Sequence, residues 1–255
     1  EYYLTTGDFT GTTYDLVLDQ NLEENHFILI KGSKVDNGGS NPDSDYVRVY
    51  ELPSAISGEL ADSGGLGTVS LSRHVADFTW EGVVTVVECL AECTTNGFTT
   101  LDIVETSLGD AVTSGTDTSG TAWSDINDVV LFGGFWGGGA EFEADATDTV
   151  KGNAVQTRLY PSATDTLNWA RESTESLVAA TMTTYVVEWG SNWTVQHVNV
   201  SGSNVGDGCD ATGEYNTGAI TSVVRNNTWV WGTGYATTNG IGDSFSGALI
   251  TLGDG

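Results

Sequence analysis

The sequence predicts an all-β protein of tandem β-sandwich or small-barrel repeats, two full and a partial third, on three observations. The chain repeats itself. Val86-Val87-Glu88-Cys89 followed by Gly97-Phe98-Thr99 returns as Val186-Val187-Glu188-Trp189 followed by Asn192-Trp193-Thr194. Upstream and in the same order, Val47-Arg48-Val49-Tyr50 is answered by Thr157-Arg158-Leu159-Tyr160, and Leu71-Ser72-Arg73 by Trp169-Ala170-Arg171. The composition is the second observation: a chain rich in Gly, Thr, Ser, Val and Trp favours short strands and turns over helices. The third is the spacing of short β-branched runs between Gly, Asn, Asp and Ser clusters, which are turn signals.

The first unit spans residues 1–106, with strands expected at Asp15 to Leu18, His26 to Lys31, Tyr46 to Glu51, Thr68 to Ser72, Gly82 to Leu90 and Phe98 to Val104. Val83 to Val87 is its longest β-branched run, so it is expected to be a central strand paired on both sides. Residues 107–122, rich in Ser, Gly and Thr, read as a flexible linker. The second unit, residues 123–201, is expected to place strands at Asp128 to Phe132, Ala140 to Ala144, Val155 to Tyr160, Thr166 to Ala170, Thr183 to Trp189 and Thr194 to Val200. A single-turn helix at Glu172 to Ala180 is the best helical candidate. A polar loop at residues 202–217 leads to a partial third repeat or a set of assembly strands at 218–255, at Ile220 to Val224, Thr228 to Trp231 and Ala248 to Leu252. An incomplete set of strands leaves an edge to be covered, and a neighbouring subunit is a natural cover.

Charge narrows the function. The chain carries 35 acidic residues against eight basic ones, a net charge of −27. Nucleic-acid binding needs Lys and Arg clusters, and an anionic membrane surface needs cationic patches, so neither is an expected partner. Abundant Asp and Glu with few Lys is a halophilic pattern and equally suits an acidic extracellular protein. No run of apolar residues is long enough for a transmembrane helix. The three cysteines, Cys89, Cys93 and Cys209, form no disulfide framework; a bridge between Cys89 and Cys93 across one turn is feasible. No CxxC pair or matching His spacing points to zinc.

Catalytic chemistry finds little support. His26, His74 and His197 have no Ser or Cys placed beside them as a nucleophile, and neither G-x-S-x-G nor H-E-x-x-H occurs, so no enzyme and no catalytic residue is expected. Glu88 and Glu188 occupy equivalent repeat positions, as do Arg48 with Arg158 and Arg73 with Arg171, which leads to an expectation of structural Arg–carboxylate pairs within each unit. The loop bearing Asp36, Asp43 and Asp45 offers hard oxygen donors for Ca²⁺, the one cofactor considered, although it lacks the terminal Glu of an EF-hand. Phe135, Trp136, Trp229, Trp231 and Tyr235 flank glycines and are candidate contacts for a subunit interface or a sugar face. Sequons at Asn192, Asn199 and Asn226 are possible glycan acceptors should the protein be extracellular.

The order of blocks, a Val-Arg-Val strand, an Arg-terminated strand and a Val-Val-Glu strand followed by Phe98-Thr99 or Trp193-Thr194, resembles the tandem β-repeats of structural proteins of tailed bacterial and archaeal viruses. The final hairpin is also similar to that of H-type lectin domains. The first resemblance implies a non-enzymatic virion component such as a capsid decoration, spike or tail protein, exposed on the exterior and partnered with itself and other assembly proteins. A cellular extracellular filament subunit and a glycan-binding adhesin are the alternatives. No sugar-binding motif of the lectins can be carried over residue by residue.

Overall fold

The computed structural model describes residues 1–5, 7–20, 25–35, 55–61, 66–72, 79–90, 93, 96–108, 112–133, 136–137, 157–171, 180–197, 221, 224 and 227–231. They are all-β. In chain order the strands are β1 (Tyr2–Leu4), β2 (Thr13–Val17), β3 (His26–Val35), β4 (Ala55–Ala61), β5 (Thr68–Ser72), β6 (Thr79–Glu88), β7 (Phe98–Leu108), β8 (Ser114–Thr118), β9 (Val129–Gly133), β10 (Trp136–Gly137), β11 (Arg158–Pro161), β12 (Thr166–Ala170) and β13 (Ala180–Trp189). A 3-10 turn, Ile126–Asp128, precedes β9, capped by the Asp125 carboxylate on the Asn127 N–H. The strands form four small antiparallel sheets, ordered β1-β6-β3, β10-β4-β5-β2, β11-β12-β8 and β7-β13-β9.

Each Val-Val-Glu segment lies on the middle strand of a three-stranded sheet. β6 runs between β1 and β3, and β13 between β7 and β9. The expectation of a central strand at Val83 to Val87 is met: Val84 pairs with Tyr2 on one side and Ile30 on the other.

The sheet β7-β13-β9 is a shared middle layer. Side chains alternate across a strand, and on β13 Tyr185, Val187 and Trp189 enter one core while Met182 and Val186 enter another. On β9, Phe132 joins the first core and Val129 and Leu131 the second. The first core gathers Phe27, Ile28 and Ile30 of β3, Leu16 of β2, Val69 and Leu71 of β5 and Val84 of β6. The second gathers Leu159 of β11, Leu167 and Trp169 of β12, and Trp123. Val186 and Val187 are both fully buried, as a strand covered on both faces requires.

A β-bulge fits β7 to both cores. The pairing jumps from Val186↔Asp102 to Val187↔Thr100, so Leu101 is an inserted residue. One extra residue reverses the facing of everything beyond it. Val104 and Leu108 therefore point into the second core, whereas Phe98 points into the first against Trp189.

Several expectations need correction. Phe98 to Val104, assigned to the first unit, pairs along its length with β13 of the second, and β10 of the second unit pairs with β4 of the first. Strand pairing thus crosses the boundary expected at residues 106–123. Residues 107–122, read as a flexible linker, contain β8, which pairs with β12. Composition misled there because Trp169 lies over Gly115: a β-carbon on that glycine would sit 2.8 Å from the indole. The described part of Thr194 to Val200, residues 194–197, is not a strand, nor is Thr228 to Trp231. Tyr46 to Glu51, Ala140 to Ala144 and Ala248 to Leu252 lie outside the described residues, as does the helical candidate apart from Ala180, which opens β13.

A shared layer has a measurable consequence. Phe27→Ala in the first core and Leu167→Ala in the second should each lower stability by about 3 kcal/mol. Both should shift one common urea transition, followed by far-UV circular dichroism and by tryptophan emission. Two transitions, each moved by only one of the variants, would show two independent sandwiches instead.

Candidate aromatic surface

A cluster of rings runs from the first core to the surface. Phe27 and Phe132 stack at 4.2 Å with planes 4° apart, and Trp229 lies beside the pair with its ring near-parallel to both, 5.4 Å from Phe132 and 6.3 Å from Phe27. Trp231 meets Phe132 at 5.3 Å with a tilted ring. Beside the stack, Trp189 lies edge-on to Phe27, Phe132 and Trp229, and Trp193 leans on Trp189 at 4.6 Å. Offset-stacked and edge-to-face arrangements are those the ring quadrupole favours.

The inner members are covered and the outer ones are not. Phe27 and Phe132 are fully buried and Trp189 is 9% exposed, whereas Trp193 is 45% and Trp229 48% exposed. The two exposed indoles each lie against the same buried one, Trp189. Both are held by neighbours: Trp229 by its ring contacts with Phe132, Phe27 and Trp189, and Trp193 by the hydrogen bond from its indole Nε1–H to the Asn96 carbonyl at 3.1 Å.

Of the predicted contact residues, Trp229 and Trp231 are brought together at 6.3 Å, with Trp229 the more open of the two. Trp136 lies in β10 opposite Ile56. Phe135 and Tyr235 lie outside the described residues. Trp193, the repeat counterpart of Phe98, is a further exposed ring that the sequence does not single out as a contact. Its signal was the turn after β13: its backbone N–H bonds the Gly190 carbonyl, which turns the ring outward from a strand end.

The polar residues have local partners. The Gln20 amide donates to the Glu88 carboxylate at 2.6 Å, and the Ser124 N–H and hydroxyl both donate to Glu188, at 2.6 and 2.7 Å. Near Glu88, the Tyr2 hydroxyl donates to Asp19 at 2.6 Å. Burial first, and then that hydrogen bond, raise the Tyr2 phenol above its ordinary value. Arg171 is 1% exposed, and its Nε–H donates to the Val112 carbonyl at 2.7 Å, tying β12 to the start of β8. Arg158 sits over the Tyr160 ring at 4.9 Å. The contacts described for Glu88, Glu188, Arg171 and Arg158 are to an amide, to a hydroxyl and a backbone N–H, to a carbonyl and to a ring respectively. Arg48 and Arg73 lie outside the described residues.

His26 is buried edge-on to Tyr185, and the exposed His197 places Nε2 3.1 Å from the Ile126 carbonyl. Asp36, Asp43 and Asp45, the calcium candidates, lie outside the described residues, as do Asn199 and Asn226; Asn192 is exposed in the turn before Trp193. Among the described residues no three His, Cys, Asp or Glu side chains converge as a metal site. A polar cavity of about 360 Å³ opens between β2, β5, β7 and β13, where Asp15 and Glu105 face Ser70, Ser72 and Thr183. Among the described residues no helix is long and apolar enough to cross a membrane.

Comparison with protein-family models, with curated proteins and with solved structures finds no match for this chain.

The two described arginines should differ in weight. Arg171→Ala removes a buried charge-assisted hydrogen bond and opens a cavity, so a loss of about 3 kcal/mol is expected. Arg158→Ala removes a contact to a partly exposed ring, and about 1 kcal/mol is expected. Urea midpoints of the two variants provide the comparison.

Proposed function

We propose that this protein is a non-enzymatic structural component of an exterior assembly, in the first place a virion decoration, spike or tail protein. A cellular extracellular filament subunit is the nearest alternative. The observation that carries the reading is the tryptophan patch: Trp193 and Trp229, each nearly half exposed, on a packed aromatic base. Rigid exposed aromatics mark interaction surfaces, because a partner gains their burial with little loss of side-chain freedom. Outer strands add a second means of contact. Tyr3 on β1 is 72% exposed and Val17 on β2 is 59% exposed, each on a strand at the edge of its sheet among the described residues.

The partner this surface fits first is another copy of the chain. Copies each carrying −27 repel at low salt. Near molar salt the screening length falls to about 3 Å, and short-range apolar contact then dominates. A glycan-binding adhesin is the second reading, favoured by the two exposed indoles, on which sugar rings could stack.

Light scattering with electron micrographs of the same sample, at high and low salt, tests the proposal. A large regular assembly at high salt is expected, and Trp193→Ala with Trp229→Ala should weaken it by roughly 30-fold per residue, the effect of about 2 kcal/mol at an interface centre. Monomers under every condition would sink the assembly reading, and sugar binding by those monomers would support the adhesin.

A further inference from the structure

We infer that the Cys89–Cys93 disulfide is a redox latch that sets the position of Trp193, so that the tryptophan patch is fully formed only when these cysteines are oxidised. The bridge closes a loop of four-residue separation at the end of β6. Cys89 is 3% exposed and belongs to the first core, and Cys93 packs against the same core. The loop is fastened on both sides. The Cys89 N–H bonds the Asn25 carbonyl at 2.8 Å, and the Cys93 N–H bonds the Leu90 carbonyl at 2.7 Å.

A short path leads from the sulfurs to the indole. Cys93 accepts hydrogen bonds at its carbonyl from the N–H groups of Asn96 and Gly97. The Gly97 carbonyl in turn accepts the Gly190 N–H at 2.7 Å, and the Gly190 carbonyl accepts the Trp193 N–H at 2.9 Å. By a second route, the Asn96 carbonyl accepts the Trp193 indole N–H at 3.1 Å. Trp193 is therefore held at its ring by Asn96 and at its backbone by Gly190, which Gly97 anchors in turn. With its ring 45% exposed, burial alone does not fix it.

Gly97 makes the coupling mechanical. A β-carbon there would run into the Cys93 sulfur and lie 2.9 Å from the Cys89 sulfur, so the Gly97 backbone rests on the bridge itself. Two separate thiols need more room than the bonded pair, because non-bonded atoms stand at van der Waals distance. Reduction thus pushes on the residue that anchors Gly190 and, through it, Trp193. The step balances with a dithiol as reductant: the Cys89–Cys93 bond takes up two electrons and two protons to give two thiols, and the dithiol closes to its own cyclic disulfide. Disulfides persist in oxidising surroundings and not in a reducing cytosol. The patch would accordingly be loosened inside a reducing compartment and set outside it. That consequence for assembly rests on the function proposed above; the latch itself does not.

The test uses the full chain carrying Cys209→Ser, with and without Trp193→Phe, so that the difference spectrum reports Trp193. Alkylation and intact mass follow the thiols. The oxidised chain is expected to label at no cysteine and, after dithiothreitol, at both Cys89 and Cys93. On reduction the Trp193 emission should move to longer wavelength and become more accessible to acrylamide, and salt-driven assembly should be lost. Cys93→Ser should reproduce the reduced state in air, and circular dichroism checks that it is folded. Labelling of both cysteines with an unchanged Trp193 signal would overturn the latch, as would free thiols in the oxidised chain. A Trp193 shift in a protein that stays monomeric throughout leaves the latch standing and removes the assembly reading. A shift with assembly unaffected overturns the regulatory part.

Discussion

Burial of β13 on both faces is the constraint on which the rest of the described structure depends. An antiparallel strand in a single sandwich shows one apolar face and one wet one. In β13 the odd residues Tyr185 and Val187 and the even residues Met182 and Val186 are all below 2% exposed. That requires a sheet on each side, supplied by β1-β6-β3 with β5 and β2 on one and by β11-β12-β8 on the other. Flanking strands must then serve two cores, and β7 does so through the bulge at Leu101. Without that inserted residue Phe98 would face the second core, and Trp189 would lose a neighbour now at 5.3 Å. The aromatic surface is thus a product of strand register as much as of composition.

Much of this fold was legible in the sequence. The all-β class, Thr68–Ser72 and Thr166–Ala170 to the residue, and the central position of Val83 to Val87 all follow from alternation and β-branched content, which are local. The partition into units was not legible, because pairing is non-local: Phe98 to Val104 has the same pattern whether it closes the first unit or joins β13. Ser114–Thr118 was hidden for a different reason. Its Ser, Gly and Asp have low strand propensity, and the strand exists because β12 supplies a partner ladder and Trp169 covers Gly115. Tertiary context overrode composition.

The aromatic site shows the same division. Trp229 and Trp231 are marked by the glycines they flank, in a segment expected to be a strand, and the segment is not one. They converge because Phe132, at the end of β9, offers a ring to both. Trp193 was visible only as an echo of Phe98, since its exposure depends on the turn from Gly190 and on the Asn96 carbonyl. The Cys89–Cys93 bridge, feasible from a four-residue spacing, gained meaning only with Gly97 lying across it.

On the function proposed here, the acidic surface and the aromatic patch divide one task. Charge of a single sign opposes every approach between copies, without regard to which faces meet. Apolar rings favour only the approach that buries them, and their effect is confined to contact distance. Salt separates the two, since it shortens the reach of the first and leaves the second intact. A strongly acidic chain in brine therefore keeps enough repulsion to resist indiscriminate sticking while its contacts are decided by the few places where rings are exposed. For that selection to work the rings must be rigid, because a mobile indole would give up in ordering entropy what it gained by burial. The ring contacts around Trp229 and the hydrogen bonds around Trp193 supply that rigidity, which is why the residues that hold the patch matter as much as the patch itself.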